Sequence, residues 1–194
     1  MTRFHSMMTT LVLALAAFGC ETAPVEPTTG MVVLYATVDP HRTTSDNAAL
    51  AAPLPREADD PHSFTYLLKE AEAEFGAAPS RVTVRDLSIV LGDDDWTVGF
   101  DDLFAGDIEV RFQPTGGGDS YLVATIPWSK VDRSGAAIVV NDATFDSSTL
   151  PEAARAAILA GDFDVTLHGP AGAAFAAHRN SLETSVPIVF QVHP

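Results

Sequence analysis

"RVTVRDLSIVL" (Arg81–Leu91) decides the fold. Apolar residues fall at Val82 and Val84, then at Leu87, Ile89 and Leu91. Each set has the period of two that sends successive side chains to opposite faces of a strand. The two sets are out of phase across Arg85-Asp86. A one-residue slip exchanges the faces, so the spacing predicts a β-bulge at that point. One dry and one wet face fits an antiparallel sheet, because strands of a parallel sheet read as continuous apolar runs.

The same alternation recurs along the chain. "MVVLYATV" (31–38) is a β-branched run and the expected first strand. "WTVGF" (96–100) is a further strand-like piece. "DIEVRFQ" (107–113) turns Ile108, Val110 and Phe112 inward and Glu109 and Arg111 outward. "YLVATIPW" (121–128) is a strand stopped by Pro127, and "GAAIVV" (135–140) is a shorter one. "DFDVTLHG" (162–169) buries Phe163, Val165 and Leu167. "SVPIVFQV" (185–192) buries Val186, Ile188, Phe190 and Val192. Pro187 has no N–H to give a ladder, so that strand should sit at an edge or turn the missing donor outward.

Two helices interrupt the strands. In "DPHSFTYLLKEAEAEFG" (60–76), Phe64, Leu67, Leu68, Ala71 and Phe75 make one apolar stripe that should pack on a sheet. Asp60 suits the N-cap, Pro61 the first turn and Gly76 the left-handed stop. In "STLPEAARAAILAG" (148–161), Ser148 or Thr149 is the expected cap and Gly161 the stop. "FDDLF" (100–104) adds one helical turn, with Phe100, Leu103 and Phe104 on one side. Residues 39–60 hold three prolines and few large apolar groups, and read as a long mobile loop. About eight strands and two short helices predict an antiparallel β-sandwich, immunoglobulin-like or jelly-roll-like.

Ahead of this body lies "LVLALAAFGCETAP" (11–24), which carries the only cysteine, Cys20. The apolar run of residues 7–19 is shorter than the roughly 20 residues of a membrane-spanning helix. With Arg3 before it and small residues after, it has the layout of a secretory signal peptide. Ala17-Phe18-Gly19-Cys20 resembles the lipobox of bacterial lipoproteins. The resemblance implies cleavage after Gly19, acylation of Cys20 as the new N-terminus and attachment to a lipid bilayer. Glu21, in place of Asp, is compatible with the outer membrane of a bacterial envelope. An ordinary cleaved signal with Cys20 incidental is the alternative. The physical logic is that a lone thiol in an oxidising compartment is a liability, which acylation removes. The implied organisation is a signal peptide over 1–19, a lipidated N-terminus and Pro/Gly-broken linker over 20–30, and one domain over 31–194.

Removal of residues 1–19 leaves 175 of 194, enough to bury a real core. All 26 Asp and Glu follow Cys20, against 10 Lys and Arg once Arg3 is gone, a formal charge of −16. Such a chain repels nucleic-acid phosphates and anionic headgroups, so nucleic acid is excluded as a partner and the tether must be the lipid.

Signals for chemistry are sparse. "GDDDW" (92–96) is the sharpest acidic cluster, and Asp93 and Asp95 could give oxygen ligands to calcium, with Asp101, Asp102 or Asp146 nearby in space. The spacing differs from the EF-hand loop, and a solvated turn explains it equally. Trp96 and Trp128 could stack on sugar rings, or be buried. The six histidines have no metal-ligand spacing, and no G-x-S-x-G, P-loop or G-x-G-x-x-G motif is present. The resulting expectation is a non-enzymatic structural or interaction module with a protein or glycan partner. The alternative is a ligand-binding module, calcium-assisted or carbohydrate-binding.

Overall fold

The computed structural model describes residues 25–38, 50–53, 60–91, 99–132, 137–140, 143–170, 172 and 182–194. Eight strands form two antiparallel four-stranded sheets. The strands are β1 (Thr28–Val38), β2 (Leu50–Pro53), β3 (Arg81–Leu91), β4 (Ile108–Pro114), β5 (Tyr121–Ile126), β6 (Ala137–Val140), β7 (Phe163–His168) and β8 (Leu182–His193). One sheet runs β1-β8-β3-β6 and the other β2-β7-β4-β5. Antiparallel pairs join β1 to β8, β2 to β7, β3 to β6 and β4 to β5. Those are the partners of one long antiparallel ribbon, and rolling that ribbon up produces this strand order. The β-sandwich is therefore a jelly roll; the immunoglobulin alternative would pair sequential strands differently.

The core lies between the sheets. Phe112 of β4 and Phe163 of β7 face Phe190 of β8, with Phe112 and Phe190 stacked at 6.0 Å. Phe64, the first residue of α1 (Phe64–Phe75), meets Phe163 and Phe190 edge-on at 5.3 and 4.8 Å. Each such ring contributes about 1.5–3 kcal/mol by burial, and the edge-on geometry adds to it. The helix stripe is placed as its spacing requires. Phe64, Leu67 and Ala71 are buried, and Leu68 and Phe75 pack against the same core.

The slip in β3 is a bulge: Val84 pairs with Phe190 and Asp86 with Val189, so Arg85 is the extra residue. Val82, Val84, Leu87 and Ile89 all face inward as a result. A second bulge was not foreseen. In β5, Leu122 and Ala124 oppose Arg111 and Val110, so Val123 is inserted, and Val123 and Ala124 are both buried.

Several boundaries differ from expectation. The linker ends earlier, because β1 begins at Thr28 and takes in Thr29 and Gly30. The expected long loop contains β2, whose "LAAP" has weak strand propensity and is held by its pairing with β7. Ser63 is the N-cap of α1, its hydroxyl accepting from the Tyr66 N–H at 3.1 Å. Asp60 instead closes the preceding turn by accepting from the His62 N–H. Gly76 does end the helix in the left-handed region, at φ 69°. Ser147–Thr149 form a separate 3₁₀ turn capped by Asp146, and α3 (Glu152–Leu159) starts after Pro151 with no side-chain cap.

Pro187 is the sharpest departure. Its strand is central, between β1 and β3. The β3 ladder holds Leu87↔Ile188 and resumes at Val90↔Ser185, skipping the two pairs that would use a Pro187 donor. The proline therefore turns its missing N–H toward β3, and the sheet tolerates the gap.

Candidate functional site

Outward residues of the β2-β7-β4-β5 sheet build a polar shelf. Alternation puts Ile108, Val110 and Phe112 of β4 into the core, which leaves Glu109 and Arg111 on the other face. β7 does the same with Thr166 and His168. Register aligns Thr125 of β5, Glu109 and His168 in one row, and Arg111 and Thr166 in the next. At the end of the first row a recess of about 280 Å³ opens, lined by Asp107, Glu109, Thr125, His168, Gly169 and Pro170. The backbone is close-packed there. A Cβ on Gly169 would lie 2.7 Å from the Phe104 ring, so glycine is needed for the approach.

The shelf is internally hydrogen-bonded. Arg111 Nε donates to Glu109 Oε2 at 2.8 Å, and Arg111 Nη1 donates to Ser120 Oγ at 3.2 Å. His168 Nε2 lies 2.9 Å from Thr166 Oγ1. The Thr166 hydroxyl also reaches the Arg111 carbonyl, at 3.4 Å. Burial pushes the His168 pKa down, Arg111 pushes it further, and Glu109 opposes them. The imidazole is thus neutral at neutral pH. The recess presents carboxylate acceptors, a threonine hydroxyl and a neutral imidazole, which is chemistry for hydrogen-bonding a hydroxyl-rich ligand. Among the described residues, no three His, Cys, Asp or Glu side chains converge as a metal site.

Of the residues singled out in the sequence, Trp128 is tied to this shelf through its backbone. It opens the 3₁₀ turn Trp128–Lys130 after β5, half-buried against the core. Its backbone N–H donates to Asp107 Oδ1 at 2.7 Å, and Asp107 lines the recess. Cys20, Asp93, Asp95 and Trp96 lie outside the described residues. Of the residues considered as companions for calcium, Asp146 and Asp102 are held by hydrogen bonds within the fold. Arg81 Nε and Nη2 donate to the two Asp146 oxygens at 2.9 and 2.8 Å, and Asp146 also accepts from the Ser148 N–H and hydroxyl. Asp102 accepts from the Gly99 N–H and so caps the single turn α2 (Phe100–Leu103), while Asp101 is exposed in that turn.

Thr125, His168 and Thr166 escaped sequence reading. The outward phase of Glu109 and Arg111 was legible, but a row across three strands depends on pairings between residues distant in the chain.

No protein-family profile matches the chain. No curated protein matches it. Among solved structures it is similar to a chain titled "Sacbrood virus of honeybee", at 13% identity and a TM-score of 0.34, over 99% of this chain and 88% of that one. So loose a likeness carries no argument, and the jelly-roll assignment rests on strand order.

Proposed function

We propose that this is an envelope-anchored lipoprotein whose jelly-roll body has a non-enzymatic structural or interaction role. The observation that carries the proposal is the placement of Cys20. It follows a leader-like apolar run directly, and only residues 21–27 separate it from β1. Fully extended, that spacer reaches roughly 20–25 Å. The body would stand close to the bilayer, and its acidic surface would be repelled by anionic headgroups. Several acyl chains at about 0.8 kcal/mol per buried methylene would hold it there. The test is palmitate incorporation and membrane fractionation in a bacterial host. The wild-type chain should take up label and sediment with membranes, and Cys20→Ala should do neither. An unlabelled, soluble wild-type chain would refute the proposal.

A second reading, carbohydrate binding, is favoured by one observation: the carboxylate that holds the Trp128 backbone also lines the polar recess. A glycan seated on Asp107, Glu109 and His168 would touch the carboxylate that fixes the Trp128 backbone. Titration with neutral oligosaccharides should then shift the tryptophan fluorescence, and Glu109→Ala should abolish the shift. An unresponsive wild-type spectrum counts against it.

A further inference from the structure

The sandwich is closed along one side and open along the other. On the closed side the outermost strands, β1 and β2, lie against each other. On the opposite side the outermost strands are β5 and β6, and these barely touch. The chain passes between them by way of the 3₁₀ turn Trp128–Lys130 and leaves a gap at the mouth of the two sheets.

A cavity of about 200 Å³ occupies this gap. Ile126 of β5 and Ile138 of β6, both buried, line it together with Pro127 and Val140. Thr125 borders both this cavity and the polar recess, yet the two differ in character. The recess holds two carboxylates, whereas the one charged side chain lining the cavity is Lys130. Lys130 is exposed, and among the described residues it has no ion pair.

Size and charge narrow the occupant. β6 has four residues and β5 stops before Pro127, so neither edge offers a ladder to an added strand. At ~30 Å³ for a group the size of water, the cavity takes about seven such groups. The body carries a net charge of −15 and repels anions. A wholly polar anion would meet that repulsion and gain nothing from the isoleucine walls. An anion with an apolar body gains by burial, and Lys130 gives its single charge a partner.

We propose that the gap between β5 and β6 binds a small carboxylate of about five to eight carbons, its hydrocarbon chain between Ile126 and Ile138 and its head on the Lys130 ammonium. Burial supplies the affinity. The exposed, flexible ammonium supplies the choice of head group.

The test is isoleucine-methyl NMR of the full chain in phosphatidylcholine nanodiscs. Hexanoate should shift the Ile126 and Ile138 methyls and leave Ile158, in α3, in place. Affinity should rise roughly fourfold per methylene from butanoate to heptanoate and rise no further at decanoate. The wild type should prefer hexanoate to hexanol about threefold. Lys130→Gln should remove that preference, and Lys69→Gln, on α1, should keep it. Unshifted Ile126 and Ile138 methyls, shifts that reach Ile158 equally, affinity that keeps rising to decanoate, or a hexanoate preference that survives Lys130→Gln overturns the proposal.

Discussion

Asp146 shows how much one side chain can hold. It receives a two-pronged bond from Arg81 and caps the 3₁₀ turn through Ser148. The Arg81 bond, reinforced by Ser148, lowers its pKa to about 2. A carboxylate depressed in the folded state stabilises above its unfolded pKa, near 4, and loses that contribution as pH falls toward 2. The melting temperature of the wild type should therefore drop more steeply between pH 4 and 2 than that of Asp146→Asn, as calorimetry would show. At neutral pH, Asp146→Ala should cost about 1–2 kcal/mol in denaturant titration, a discounted figure because the Arg81 side chain is 43% exposed. His168 and His193 act earlier on the same slope. Burial, then a neighbouring arginine (Arg111 for His168, Arg81 for His193), lowers both, so they begin to destabilise as pH falls below about 6.5. Thr184 is the converse case. Its buried hydroxyl has no partner among the described residues. Thr184→Val should keep the shape, remove the uncompensated oxygen and gain about 1 kcal/mol. A lower melting temperature for that variant would contradict this view. None of these pairings was legible from spacing, because Arg81 and Asp146, like Glu109 and His168, meet only when distant strands align.

At the scale of the element, the sequence was most readable where the signal is self-contained. The β3 bulge, the α1 stripe and the inward sets of β4, β7 and β8 follow from periodicity within a few residues. Caps were harder. Asp60 and Ser63 are both good capping residues three positions apart, and local propensity does not separate them. Ser63 wins because α1 can start only where Phe64 enters the core. Ser63→Ala should cost about 1 kcal/mol, and Asp60→Ala distinctly less, in thermal unfolding of the two variants. Equal costs would mean that both residues cap. β2 was missed for the opposite reason: its residues have little strand preference, and the strand exists through β7. Pro187 misled because composition argues against a central strand, while the flanking ladders of β8 outweigh one lost donor.

For the whole molecule, rolling a ribbon into two sheets makes the phenylalanine cluster the common floor of every element. Phe112 touches Phe145, Phe163 and Phe190 and so spans both sheets. Phe112→Ala should cost about 3–5 kcal/mol, enough to unfold a domain of ordinary stability under mild denaturant. The fold class was accessible from alternation, but strand order was not. Order is set by which distant strands close on one another, information that no window of the sequence contains. Function follows the same division. The proposed address rests on a short contiguous stretch, whereas the polar recess is assembled from β4, β5, β7 and the turns around them.

The account rests most heavily on Cys20. Its most direct test is intact-mass spectrometry of the chain extracted from the membranes of a bacterial host. The predicted species starts at Cys20 and carries added mass corresponding to a diacylglyceryl group. A chain that begins at Met1, or one that begins at residue 20 with an unmodified thiol, would contradict it.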